Sequence, residues 1–312
     1  MTTDIKRNEQ GVAVRRLGKT ELEVSVMGFG GGHYCRPPNT EADCVSLIRR
    51  SIDAGITFMD NAWGYWDGES ERRMGKALTE GYRDKVVLMT KVCSRDYDSA
   101  MSQLHESLAR LRTDVIDVWQ CHEVNYDNDP DWIFRDDGAA RALEDAKQQG
   151  KVRFVGFTGH KSPHILKRMF DFGFDWDTVQ MPINVMDYHY RSFTHDIMPI
   201  ALERDMGIIG MKSLGGDGQI VNGAGLTPEE CRHYSMSLPI STLVAGIQTE
   251  EDIQQDIAIA QSFEPYSEEL LTALRERVMP FATDGRFEVF KTSQKYDAKY
   301  HRDQHGYIEP AV

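Results

Sequence analysis

Eight short, nearly unbroken apolar runs recur along the chain, beginning near Val24, Ile56, Val86, Val115, Val152, Thr178, Gly207 and Thr242. Their spacing of roughly 26 to 37 residues suits repeated strand–helix units. Unbroken apolar character is expected of strands buried on both faces. Helical patterns fill the intervals. Thr40-Glu41-Ala42-Asp43 has the form of a capping box ahead of Val45, Ile48 and Ile52, with Gly55 as a stop. Met101, Leu104, Leu108 and Leu111 repeat at helical spacing. Ser162-Pro163 predicts an N-cap followed by a first-turn proline, and Thr249 predicts a cap for a helix carrying Ile253, Ile257 and Ala260. The pattern predicts an α/β protein, a closed (β/α)8 TIM barrel. Ala13–Val24 reads as a short N-terminal hairpin sealing its bottom.

Composition narrows the class. The chain has 312 residues, 40% hydrophobic and 27% charged, as expected of a globular protein. Barrels of this length commonly form one domain, here placed at residues 1–280. Beyond Pro280 the composition turns polar and aromatic, so residues 281–312 read as a tail packed on or near the barrel. The formal charge of −13 excludes a general binder of nucleic acid or anionic membrane. No run approaches the eighteen apolar residues of a membrane span, and the first residues show no apolar signal core. Five cysteines are scattered without a CxxC pair, which reads as reduced thiols in a cytoplasmic protein.

Four polar residues stand where such a barrel presents them together. Asp60 closes the run from Ile56, Lys91 closes the run from Val86, and His122 ends the run from Val115. Tyr65 follows Asp60 by five residues, in the loop. The working face of these barrels lies at the C-terminal strand ends. An ammonium packed beside a phenol favours the phenolate and makes the phenol a better acid. Asp60 would keep Lys91 charged and in place. A neutral His122 could donate a hydrogen bond to a substrate oxygen. Together they could hand a proton to a carbonyl oxygen, which hydride transfer to a carbonyl requires.

From about residue 14 to 280 the chain resembles the aldo-keto reductase family. The opening segment Arg16-Leu17-Gly18-Lys19-Thr20 and Val24-Ser25-Val26-Met27-Gly28-Phe29-Gly30 is similar to the family's own. So are Asp60-Asn61-Ala62-Trp63-Gly64-Tyr65, Gly68-Glu69-Ser70-Glu71-Arg72 and Met74-Gly75-Lys76-Ala77-Leu78. The resemblance implies an oxidoreductase acting on C=O or CH–OH with NADP or NAD. Tyr65 is then the general acid/base, Lys91 and Asp60 tune it, and His122 orients the carbonyl.

Gly28-Phe29-Gly30-Gly31-Gly32 fails as a dinucleotide fingerprint, because His33 takes the last glycine's place and no helix opens there. The resemblance instead sets Gly31 and Gly32 against the cofactor. After the seventh run, Leu214 and Gly215-Gly216-Asp217-Gly218 can wrap a pyrophosphate with backbone N–H groups. The eighth run leads through Gly246 and Gln248 into the Thr249 helix, whose N-terminus favours an anion. By resemblance Asp60, Thr158 and Gln180 contact the nicotinamide end, with Gly159 where an asparagine is usual and Met211 where an aromatic ring often stacks. Lys212, Asp252 and Asp256 complete the expected cofactor set. The family expectation is NADP(H), yet Gly246–Asp256 has no basic residue and carries Glu250, Glu251 and Asp252, which repel a 2′-phosphate. The choice stays open.

His33, Tyr34, Trp66, Tyr126 and Trp132 fall in loops after the first, second and fourth runs and predict an aromatic wall around a ring-bearing or sugar-like carbonyl substrate. The pairs His160/His164 and His301/His305 have metal-ligand spacing but no third ligand nearby. They read as solvated histidines, and no metal is expected. Two other classes stay in view: a nucleotide-binding regulatory subunit resembling potassium-channel β-subunits, and a barrel using Lys91 as a Schiff-base nucleophile. A paired, charged ammonium is a poor nucleophile, which weighs against the latter. Oligomeric state is not legible.

Overall fold

The computed structural model describes residues 5–292 and 299–307. Met1–Asp4 and the tail residues 293–298 and 308–312 fall outside the described residues. The eight apolar runs become strands β3 (Met27–Gly30), β4 (Phe58–Asp60), β5 (Val87–Val92), β6 (Ile116–Cys121), β7 (Val152–Thr158), β8 (Thr178–Pro182), β9 (Gly207–Met211) and β10 (Thr242–Gly246). They pair in parallel and close as β10-β3-β4-β5-β6-β7-β8-β9. This is a (β/α)8 TIM barrel, with helices on the outside.

Strands β1 (Val14–Arg16) and β2 (Glu23–Ser25) form the antiparallel hairpin ahead of it. Leu17 and Val24 are fully buried and join Phe58, Val87, Met89, Val118, Ile209 and Val244 in one apolar cluster that plugs the lower barrel. The turn at Gly18 must be glycine: its φ is +53° and an added Cβ would stand 2.2 Å from the Gly207 nitrogen.

Local signals held where their partners are close in sequence. Thr40 and Asp43 form the reciprocal capping box of the helix Glu41–Asp53, and Thr249 and Asp252 do the same for Glu250–Ser262. Ser162 precedes the helix Pro163–Arg168 but makes no cap, because its hydroxyl faces His164 Nδ1 at 2.7 Å.

The helix Glu268–Ala282 runs straight through Pro280, so the composition change there coincides with no element boundary. Farther on, Lys291 is fully buried, bonded to Asp187 (2.6 Å) and Glu288 (2.9 Å). The helix Lys299–His305 lies over the strand ends of β4 to β6. Tyr300 donates to Asp67 (3.0 Å), Tyr307 donates to Asp129 (2.6 Å), and His305 Nε2 lies 3.3 Å from an Arg95 nitrogen.

Candidate active site

Side chains alternate across a strand, so residues two apart share a face. In β4 Phe58 points into the barrel, and so must Asp60. By the same parity Lys91 shares the inward face with Val87 and Met89 of β5. Gln120 follows Val118 in β6, and His122 lies one step beyond. Gln180, Met211 and Gly246 take the matching places in β8, β9 and β10. The upper barrel therefore collects the polar residues.

Lys91 is 1% exposed and donates to Asp60 Oδ1 and to the Asn61 carbonyl (2.7 Å). Its ammonium stands 5.1 Å from the centre of the Tyr65 ring, and that ring meets His122 edge-on, centroids 5.4 Å apart at 76°. The four predicted residues are thus brought together. The Tyr65 loop is zipped to β5 by Asn61 N–H to Met89 O (2.9 Å) and Trp63 N–H to Lys91 O (3.1 Å). Immediately after Tyr65, Trp66 and Asp67 hold left-handed φ values of +54° and +51°, strained for non-glycine residues, and Tyr300 anchors Asp67.

Burial first, then the charge of Lys91 and of neighbouring histidines, pushes the His122 imidazole well below its usual range. It is neutral at physiological pH and keeps an N–H to donate. Its Nδ1 lies 3.6 Å from the Cys93 thiol. Fully buried Arg95 holds the backbone behind it, donating to the carbonyls of His122 (2.7 Å) and Glu123 (3.0 Å) while paired with Asp129.

Tyr65 and Asp60 open onto a cavity of about 450 Å³ that runs to the ends of β9 and β10. Met211, Lys212, Leu214 and Gly216 line it, as do Gly32, Gly246, Gln248 and Asp252. Gln180 donates to Asp60 Oδ2 (3.1 Å), and its buried carbonyl oxygen has no hydrogen-bond partner among the described residues. That orphaned acceptor, deep in the barrel beside Asp60, suits a primary amide. Thr158 lies beside it, paired in register with Gln180. Gly31 turns tightly off β3, its N–H donating to Asp60 O (2.7 Å), where a Cβ would meet the same oxygen at 2.7 Å.

Several expected placements change. Gly215 turns toward the tail, where a Cβ would meet Phe287 O at 2.7 Å. Asp256 is buried outside the cavity and acts through Arg232, which lines it (Nε–Oδ1 3.1 Å). At the N-terminus of the Thr249 helix, Asp252 Oδ2 accepts from the N–H groups of Gln248 (3.0 Å) and Thr249 (2.9 Å). Nor is there room for an asparagine at Gly159: a Cβ would stand 2.2 Å from Leu166 Cδ1 and 2.5 Å from Val124 O.

The aromatic wall does not form. Tyr34 is 0% exposed and donates to the Ser70 carbonyl within the core. Tyr126 and Trp132 pack on Tyr307 beneath the tail. Trp66 is 41% exposed and donates to Gly32 O (3.1 Å) at the rim. His33 lines the cavity, but at its β10 side, 3.4 Å from Asp217, which also pairs with Arg36 (2.8 Å). Of the four histidines read as solvated, His160 and His305 are buried, since each replaces water with protein contacts under a loop or the tail. Among the described residues no group of three candidate ligands could hold a metal.

Sequence reasoning missed Glu123, Arg36 and Arg232 and read His301 only as a solvated histidine, yet all four line the cavity. Glu123 carried a signal, being a charge directly after the β6 run. The other three carried none, because their partners lie far away in sequence. Among the described residues no helix is long and apolar enough to cross a membrane.

Comparison with known proteins agrees with this geometry. The aldo/keto reductase family model matches residues 26–233. The chain is 33% identical over 168 residues to 6-dehydroglucose reductase of Novosphingobium aromaticivorans, covering 49% of this chain and 53% of that protein. It is 33% identical over 159 residues to L-galactose dehydrogenase of Arabidopsis thaliana, covering 47% and 49%. The chain thus spans about half the length of these curated relatives. An aldo-keto reductase from Bacillus halodurans, solved in its holo form, superposes with a TM-score of 0.72 over 85% of this chain and 96% of that one. At 21% identity that likeness speaks to the fold. With two thirds of its length under the family model and this barrel beneath it, the chain belongs to the aldo/keto reductase family.

Proposed function

We propose that this protein moves hydride between a nicotinamide cofactor and a carbonyl compound or the corresponding alcohol, with Tyr65 as its general acid/base. The observation that carries the reading is the Asp60–Lys91 ion pair packed against the Tyr65 ring, with a neutral His122 meeting that ring edge-on. Members of this family use NAD(P)H, and the orphaned Gln180 oxygen and the glycines at 32, 216 and 246 suit such a group. A reduced nicotinamide bound there supplies the hydride.

The chain's own residues supply the rest. Tyr65 gives a proton to the carbonyl oxygen as charge develops on it, and takes one back in the reverse direction. Lys91, ion-paired with Asp60 in a water-poor interior, stabilises the phenolate left behind. His122 donates an N–H to the same oxygen and fixes its position. An ammonium so paired is a poor Schiff-base nucleophile, which supports hydride chemistry over that alternative.

At the nucleotide end Arg232 is neutralised by Asp256 and Arg36 by Asp217, while Asp252 occupies the helix N-terminus. This disposition favours NAD(H) over NADP(H), because a 2′-phosphate would have to displace a carboxylate.

Stopped-flow mixing with NADH or NADPH and an aldehyde panel tests the reading. Tyr65→Phe should lose roughly 100- to 10,000-fold in kcat/KM and keep its nucleotide affinity. Failure of wild type to bind either nucleotide contradicts it. Tight nucleotide binding with no turnover on any carbonyl or alcohol would favour a regulatory subunit instead.

A further inference from the structure

Two thiols meet where the loop after β3 joins the first barrel helix. Cys35 lies between His33 and Arg36, both of which line the cavity, and Cys44 lies on the helix Glu41–Asp53. Both are buried and free, and a hydrogen bond joins their side chains. Cys44 Sγ also stands 3.2 Å from the carbonyl oxygen of Tyr34, the residue before Cys35, and accepts from Arg73 Nη1 at 3.2 Å. Arg73 Nε is buried and makes no hydrogen bond among the described residues. Asn39 ties this loop to the β10 side of the cavity by donating to the carbonyls of Tyr34 (3.0 Å) and Gln248 (2.6 Å). The five cysteines are therefore not alike. Donation from Cys35, and after it from Arg73, outweighs burial and pulls the Cys44 thiol down to about 7. Burial instead pushes Cys93, Cys121 and Cys231 up to about 12.

We infer that Cys35 and Cys44 form a redox-active dithiol site, which a hydroperoxide converts to an intramolecular disulfide. It stands on two sulfurs in contact and a guanidinium beside one of them, and is independent of hydride transfer at Tyr65. The thiolate is the nucleophile in such chemistry, and a neighbouring cation favours it. The Cys44 sulfur attacks one peroxide oxygen. An S–O bond forms, the O–O bond breaks, and the departing hydroxide leaves as water with the proton that Cys44 gave up. Arg73 Nε–H, which makes no other hydrogen bond, can donate to that oxygen. The Cys35 sulfur then attacks the Cys44 sulfenic sulfur. The S–S bond forms, the S–O bond breaks, and the Cys35 proton leaves with hydroxide as a second water. Two electrons thus pass from two thiols to one peroxide. Cys35 is held protonated first by its hydrogen bond to Cys44 and then by burial, so oxidation of Cys44 releases the larger restraint. With Cys44 0% and Cys35 6% exposed, the site admits a small oxidant and turns away a bulky one such as a peptide disulfide.

Peptide mass spectrometry after brief exposure of the folded protein to hydrogen peroxide, with alkylation in denaturant, tests the site. Trypsin releases both cysteines on one peptide, residues 20–49, because Arg36 precedes Pro37. The expected product is that peptide, unalkylated and lighter by two hydrogens. It should form at least about tenfold faster than any oxidation of Cys93, Cys121 or Cys231, and dithiothreitol should return it to two thiols. Cys35→Ser should stop Cys44 at the sulfenic acid, trapped by dimedone. Arg73→Met should raise the pH midpoint of the peroxide reaction by about one unit or more, a shift that a merely structural arginine would not produce. Two alkylatable thiols at Cys35 and Cys44 after the other cysteines have reacted would overturn the inference. So would wild-type Cys44 passing to the sulfinic acid with Cys35 still free. The readout uses neither nucleotide nor carbonyl substrate, so it decides the dithiol whether or not the protein transfers hydride.

Discussion

The lower and upper halves of the barrel interior are built by the same strands only two residues apart. Below, Phe58, Val87, Met89, Val118, Ile209 and Val244 close around the hairpin's Leu17 and Val24 without a polar atom from their side chains. One inward step higher stand Asp60, Lys91, Gln120, Met211 and Gly246. A step of about 6.6 Å along a strand thus passes from an apolar plug to a buried ion pair. The difference bears on the proposed role of the pair. With apolar packing beneath it, the pair is poorly screened, so on that reading the Lys91 charge acts on Tyr65 more strongly than it would in water.

Breaking the lower half should cost stability and spare chemistry. Phe58 fills the space left by Gly28, whose added Cβ would stand 2.9 Å from the Phe58 ring. Phe58→Ala is expected to lower unfolding free energy by about 3–5 kcal/mol, measured by urea denaturation. Below its melting temperature kcat should stay within about twofold of wild type, since no group touching Tyr65 changes. A collapse of kcat in the folded variant would dissolve the division between the halves.

The upper half, with its tail, should instead respond to pH. Burial, then Arg95 and His301, depresses the His305 imidazole well below its usual range. An unfolded chain takes up that proton near pH ~6.5 while the folded one does not, so stability falls as pH drops below that value, down to the folded pKa. His305→Asn should flatten the slope of unfolding free energy in that window by about 1.4 kcal/mol per pH unit, one proton's worth. The difference between variant and wild type is what matters, because Glu288, pushed up to about 7 mainly by burial, works in the opposite sense over part of the same range. An unchanged slope would mean that His305 charges in the folded protein.

Legibility in the sequence followed the same division. Continuous apolar runs are local properties, so the barrel, the hairpin, the strand-end places of Asp60 and Lys91 and the loop place of Tyr65 could all be read from short segments. Capping boxes at Thr40 and Thr249 were equally local. What could not be read depends on distant partners. Arg232 gains its place through Asp256, Glu123 through His301, and Asp217 through Arg36. The aromatic wall failed because a ring in a loop is drawn to the largest available apolar contact. For Tyr34 that contact was the core, and for Tyr126 and Trp132 it was Tyr307 in the tail.

The central claim is that the Lys91 ammonium makes the Tyr65 phenol acidic. The pH dependence of carbonyl reduction in wild type and in Lys91→Met/Asp60→Asn tests it most directly. That double variant removes the ion pair without stranding a buried charge. The account predicts an alkaline limb that moves up by about one pH unit or more in the variant, with a slower reaction at neutral pH, and no such limb in Tyr65→Phe. The same limb at the same pH in wild type and the double variant would contradict it.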